Sequence, residues 1–116
     1  MEDLKQRTKQ FALRVICLVE SLPRGRTADV IGRQLLRSGT SVGANYRSAC
    51  RARSVADFQS KMGIVEEEAD ESAYWMELLI EAGLMKPKLL EKLLQEANEL
   101  TAIAVTSIKT SRRTLT

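Results

Sequence analysis

Histidine is absent from all 116 residues. Its absence removes the commonest general base and transition-metal ligand, and with them Ser-His and Cys-His nucleophilic pairs. The di-iron centres of helical bundles normally draw on Glu-x-x-His pairs, which are absent. An all-carboxylate site from Glu67, Glu68 and Glu71 is less expected than a helix face balancing nearby arginines. Proline occurs only at Pro23 and Pro87, and the six glycines are dispersed, which leaves too few turn residues for a β-rich chain. Aromatics make up 4% of the residues, so a core must be assembled from Leu, Ile, Val, Ala and Met. No apolar run approaches the roughly 20 residues of a membrane span. The two cysteines, Cys17 and Cys50, lie far apart in apolar or small-residue helical contexts. They are expected to be small buried hydrophobes in a reducing compartment, with neither a disulfide nor a metal between them. The opening segment Met1–Gln6 lacks the charged-then-apolar layout of a secretory signal, so a cytoplasmic location is expected. No catalytic residue, cofactor or metal site emerges from any of this.

What is present is a strong helical period. Apolar residues form 44% of the chain, enough for one core, and the length suits one domain over residues 1–116. Four segments repeat apolar or small residues at alternating steps of three and four, the mark of one buried helical face. They cover about residues 4–22, 28–51, 55–83 and 87–113. Pro23 ends the first, and Thr27 is the expected N-cap of the second, with Asp29 in its first turn. The middle of the second segment, Ser38 to Asn45, is a poor intrinsic helix former, so a loop there is an alternative to one continuous helix. Ser54 and Asp57 resemble a capping box, Gly83 suits a left-handed C-cap, and Pro87 suits a first turn. Residues 111–116 are expected to fray. Short connections between helices of this length give an all-α, up-down-up-down antiparallel four-helix bundle.

Charge is segregated along the chain. From Arg24 through Arg53 seven arginines face one acid, Asp29, whereas from Ser54 through Met85 eight acids face one base, Lys61. Two uses of this pattern are open. The second and third helices can neutralise one another across their interface, or the arginines left over can form a basic surface. In the second case Arg24, Arg26, Arg33, Arg47, Arg51 and Arg53 would contact phosphates, with Lys5, Arg7, Lys9 and Arg14 of the first helix as candidates to join them. Arginine suits that task because its planar fork binds phosphate oxygens in pairs. No helix-turn-helix, zinc-finger or RNA-recognition signature accompanies these residues, so sequence readout is not expected.

Two further features stand out. Polar Ser38 and Asn45 fall on the core stripe of the second helix, with Arg37 and Ser41 beside it. Together with Glu68 and Glu71 they are expected to form a buried polar network that fixes helix register. Gly39 and Gly43 have the small-xxx-small spacing of close helix packing, without the lysine of a nucleotide-binding loop. Tyr74 and Trp75 fall off the core stripe of the third helix and are expected to mark an oligomer contact.

The string from Gln34 through Tyr46, QLLRSGTSVGANY, and that from Glu68 through Leu79, EADESAYWMELL, resemble the four-helix-bundle proteins encoded by intervening sequences of bacterial 23S ribosomal RNA genes. The resemblance runs from Phe11 to about Arg112. More distantly, the chain is similar to the accessory protein of diversity-generating retroelements, which partners a reverse transcriptase. The resemblance implies a cytoplasmic bundle that assembles into a homopentameric ring and binds RNA or other nucleic acid, and it supplies no catalytic residues. The expected function is therefore non-enzymatic binding of RNA or DNA without sequence preference, with a protein-interaction scaffold as the alternative.

Overall fold

The period of three and four closes into four helices. A computed structural model describes residues 3–114, which form α1 (Leu4–Glu20), α2 (Arg26–Cys50), α3 (Val55–Glu81) and α4 (Pro87–Thr114). The Asp3 carboxylate caps α1 by accepting from the Lys5 N–H at 3.0 Å, which satisfies a donor with no partner inside the helix. The helix ends two residues before the expected Leu22. The residue ahead of a proline is pushed out of helical geometry, and the Ser21 N–H falls back on the Leu18 carbonyl at 3.0 Å.

The N-cap of α2 is Gly25, not the expected Thr27, which lies inside the first turn. Gly25 has φ +152°, a backbone conformation that L side chains rarely adopt. From Gly25 the helix is unbroken through Ser38–Asn45, so the loop alternative does not occur. The reason is tertiary. A Cβ at Gly39 would stand 2.8 Å from both γ-carbons of Val15, and one at Gly43 would stand 3.2 Å from Thr8 Oγ1. The missing side chains let α1 and α2 approach closely, and that packing outweighs poor propensity.

Ser54 Oγ accepts from the Asp57 N–H at 3.0 Å, and Asp57 reaches back to the Arg53 N–H at 3.3 Å. The helix this opens, α3, closes on Gly83 at φ +74°. The Leu84 N–H bonds to Leu79 O at 2.9 Å and the Gly83 N–H to Ile80 O at 3.0 Å, the paired bonds of a Schellman cap. The last helix, α4, continues through Ser111, whose hydroxyl accepts from Gln59 of α3 at 3.0 Å. The expected fraying therefore does not begin there, and Leu115 and Thr116 lie outside the described residues.

Each helix packs on its neighbours in sequence, and α1 touches α4 lightly. The result is the expected four-helix bundle, 51 Å long and about 20 Å across. Its axis is filled by Phe11, Val15, Leu35, Val42, Met62, Met76, Leu79, Leu90 and Ala97, all essentially free of solvent contact. No buried side-chain polar atom among the described residues lacks a hydrogen-bond partner, as expected of a well-formed interior.

Candidate nucleic-acid interface

A helix turns about 100° per residue, so Arg26, Arg33, Arg37, Ala44 and Arg51 fall within about 20° of one line along α2. The core residues Leu35 and Val42 occupy the opposite side, so the line faces water. Arg24, Arg26, Arg33, Arg47, Arg51 and Arg53 are all exposed. Among the described residues none of these six side chains forms an ion pair. Arg53 stands apart in lying near Asp57. The Asp57 carboxyl is held below the usual carboxylate range first by its bond to Lys61, then by the Arg53 backbone and the Lys61 and Arg53 charges.

The first helix contributes two more cations. Lys5 and Lys9 are one turn apart and share a face, which lies against the C-terminal half of α2 because Thr8 seats on Gly43. With Arg47 and Arg51 they border a cleft of about 420 Å³ whose floor includes Gly43 and Ala44, and no acid lines it. Arg7 and Arg14 lie on the other flank of α1. Arg7 grips Glu96 of α4 through two bonds of 2.7 Å and reaches Glu99 at 3.0 Å. Chiefly through that bond, Arg7 holds the Glu96 carboxyl below its ordinary pKa. Lys5 and Lys9 of α1 thus serve the cleft and Arg7 the clamp, with Arg14 on the clamp's flank.

Among the described residues, mutual neutralisation across α2 and α3 engages Arg37 alone. It pairs with Glu68 at 3.1 Å and with Glu71, and both acids, the Glu71 bond foremost, raise its pKa. The polar network expected here separates into three parts. Ser38 is buried and its hydroxyl lies 2.9 Å from that of buried Ser72. Arg37 is not buried, with 49% of its side chain exposed, so its pairs with Glu68 and Glu71 form a surface cluster. Ser41 and Asn45 bond to carbonyls of their own helix, Arg37 O at 2.6 Å and Ser41 O at 2.8 Å. Serine and asparagine within helices commonly do so.

Trp75 leans back on the core and donates to Glu71 at 3.2 Å. Tyr74 is exposed and stacks edge-on against it, with ring centroids 5.1 Å apart. Both cysteines are exposed, against the expectation of burial. Cys17 is six residues from Phe11, a rotation of about 240° away from the core side, and Cys50 is the last residue of α2. Among the described residues no group of three or more acids or cysteines is placed to hold a metal, and no helix is long and apolar enough to cross a membrane.

Residues 2–106 match the family model of the 23S rRNA-intervening sequence proteins. The chain belongs to that family. A solved member of the S23 ribosomal protein family, a protein of unknown function from Bacteroides thetaiotaomicron VPI-5482, has the same bundle. It is 36% identical, the match covers 92% of this chain and 99% of that one, and the TM-score is 0.86. Comparison with curated proteins returns no match. The cleft itself is not evident from the sequence. Its signal was present in the one-turn spacing of Lys5 and Lys9, which separates them from Arg7 and Arg14.

Proposed function

We propose that this family member is a binding protein, not an enzyme, that holds RNA or DNA by its backbone phosphates against the outer face of α1 and α2. One observation carries the reading: Lys5, Lys9, Arg47 and Arg51 converge on a cleft with no acid in its lining, and none of the four forms an ion pair among the described residues. Cations gathered without counter-charge repel one another, and a polyanion relieves that repulsion while releasing its own counterions. Arg24, Arg26, Arg33 and Arg53 extend the basic surface along α2 and beyond its ends. No helix-turn-helix, zinc-finger or RNA-recognition signature accompanies these cations, so the binding is indifferent to sequence. Filter binding of generic RNA and DNA at low and at high salt tests the proposal. Affinity at low salt that collapses at high salt supports it, whereas no binding at low salt, or binding indifferent to salt, contradicts it.

A second reading concerns assembly. Tyr74 is 53% exposed and sits among exposed Glu67, Asp70, Glu77 and Glu81 on α3, on the side of the bundle away from the basic cleft. Exposed aromatics of this kind favour contacts between subunits, in keeping with a homo-oligomeric ring or a docked protein partner. Tyr74→Ala should reduce the oligomer seen by light scattering and leave nucleic-acid affinity per protomer unchanged at saturating protein. An unaltered oligomer removes Tyr74 from the contact.

A further inference from the structure

The basic strip has a spacing as well as a charge. Its cations gather in two groups. Arg26 and Arg33 lie toward the start of α2, and Lys5, Lys9, Arg47 and Arg51 surround the cleft near its end. At about 1.5 Å per residue, Arg33 and Arg47 are separated by about 21 Å, and Arg26 to Arg51 spans about 37 Å. The stretch between the groups presents no free charge, because Arg37 is engaged by Glu68 and Glu71 and Thr40 and Ala44 are neutral. Since α2 is continuous and packs along α1, the two groups are held at a fixed spacing on one rod of paired helices.

We infer that the nucleic acid held on this face is a duplex, gripped at two places whose outer ends lie about one helical turn apart, and not a single strand. This rests on the phosphate-binding reading above. A duplex repeats its backbone every 34–36 Å or so, close to the length of the strip, and it is stiff enough to meet both groups without being reshaped. A single strand has to be straightened along the rod. Proteins that hold single strands offset that cost by stacking bases on aromatic side chains. The chain has five aromatics, and none lies on this face. Phe11 is buried, Tyr46, Phe58 and Trp75 pack against the core, and Tyr74 is on α3.

Fluorescence anisotropy on the full chain tests this with two labelled probes at one salt concentration, a duplex of about 18 base pairs, longer than one turn, and an unstructured single strand of equal length. The duplex should bind about ten-fold tighter or more, because the strand finds no aromatic side chain here on which to stack. The double variant R26A/R33A should weaken the long duplex by about ten-fold, since two of its phosphates are then left without a cation. It should leave unchanged a hairpin whose stem has about four base pairs, roughly 14 Å, too short to bridge the groups. Single-strand binding equal to or tighter than duplex binding overturns the inference while leaving the phosphate reading in place. Equal losses on the long duplex and the hairpin overturn the two-point grip. Binding of neither probe refutes the phosphate reading itself.

Discussion

The close seat of α2 on α1 predicts that Gly39→Ala changes sign with its partner. In the wild-type chain a Cβ at Gly39 would lie 2.8 Å from both γ-carbons of Val15, about 1 Å inside a comfortable carbon–carbon contact. Alanine gains about 0.8–1 kcal/mol over glycine in a helix interior, while overpacking a tight core costs about 1–3 kcal/mol. With two methyls struck at once the cost falls in the upper part of that range, so the net loss is about 1–2 kcal/mol. Val15→Ala alone removes both methyls from a fully buried site and costs about 2 kcal/mol. In that background Gly39→Ala meets only the Val15 Cβ position, at 3.1 Å, which a small shift relieves, and it should stabilise by about 0.5–1 kcal/mol. The cycle then yields a coupling energy of about 1.5–3 kcal/mol. Urea unfolding at constant m reads all four proteins. Gly63→Ala, with no atom within 4 Å of the new methyl, serves as control and should gain about 0.5–1 kcal/mol. Gly39→Ala that stabilises the wild-type chain, or that costs the same in both backgrounds, refutes the packing account.

Three shorter predictions follow from other parts of the bundle. Arg7→Ala breaks the α1–α4 clamp, whose Arg7 and Glu96 side chains are each 15% exposed, and should cost about 1–3 kcal/mol near neutral pH. The folded-state pKa of Glu96 is depressed, so this stability is present above the unfolded carboxylate range and is lost as pH falls through the folded value. The gap between wild-type and variant urea midpoints should therefore close in acid, and a gap independent of pH contradicts the assignment. Burial foremost, with the neighbouring Cys50 thiol and the Asp3 charge adding, raises Tyr46 from 10.0 to about 12. Its neutral form thus contributes stability below about pH 10 that is lost as pH rises toward the folded value. Ultraviolet titration should show a tyrosine ionising near 12 that disappears in Tyr46→Phe, and an unchanged titration curve contradicts this. Because Cys17 and Cys50 are exposed, both should react with a disulfide reagent in the native protein at rates near those in denaturant, and protection of either contradicts its placement.

The fold was largely legible because the deciding signals are local. The 4-3-4-3 stripe of α3 from Phe58 to Leu79, the Gly83 cap and Pro87 each specify helix geometry without help from distant residues. Boundaries were less legible where the deciding factor was a dihedral or a distant partner. Thr27 has the chemistry of a cap, yet Gly25 has the freedom, and the position went to the residue able to reach φ +152°. Whether α2 was continuous depended on Val15 and Thr8, both on a different helix from the Gly39 and Gly43 they meet. Of the candidate surface, the excess of arginine was visible in the sequence, but its allocation was not. One arginine of α2, Arg37, is taken by α3, and two lysines of α1 join the rest, because rotation about each helix axis sorts like charges onto different flanks. Of the polar network only the Ser38–Ser72 pair is buried between helices, because Ser41 and Asn45 satisfy themselves on their own backbone, as short polar side chains in helices can.

The most direct test of the central claim is the slope of log association constant against log salt concentration for a duplex, compared between the wild-type chain and Arg47→Ala/Arg51→Ala. If these two arginines each neutralise a phosphate in the cleft, the slope should become shallower by about 1.8, roughly 0.9 for each phosphate no longer neutralised. Parallel lines for the two proteins would contradict the account.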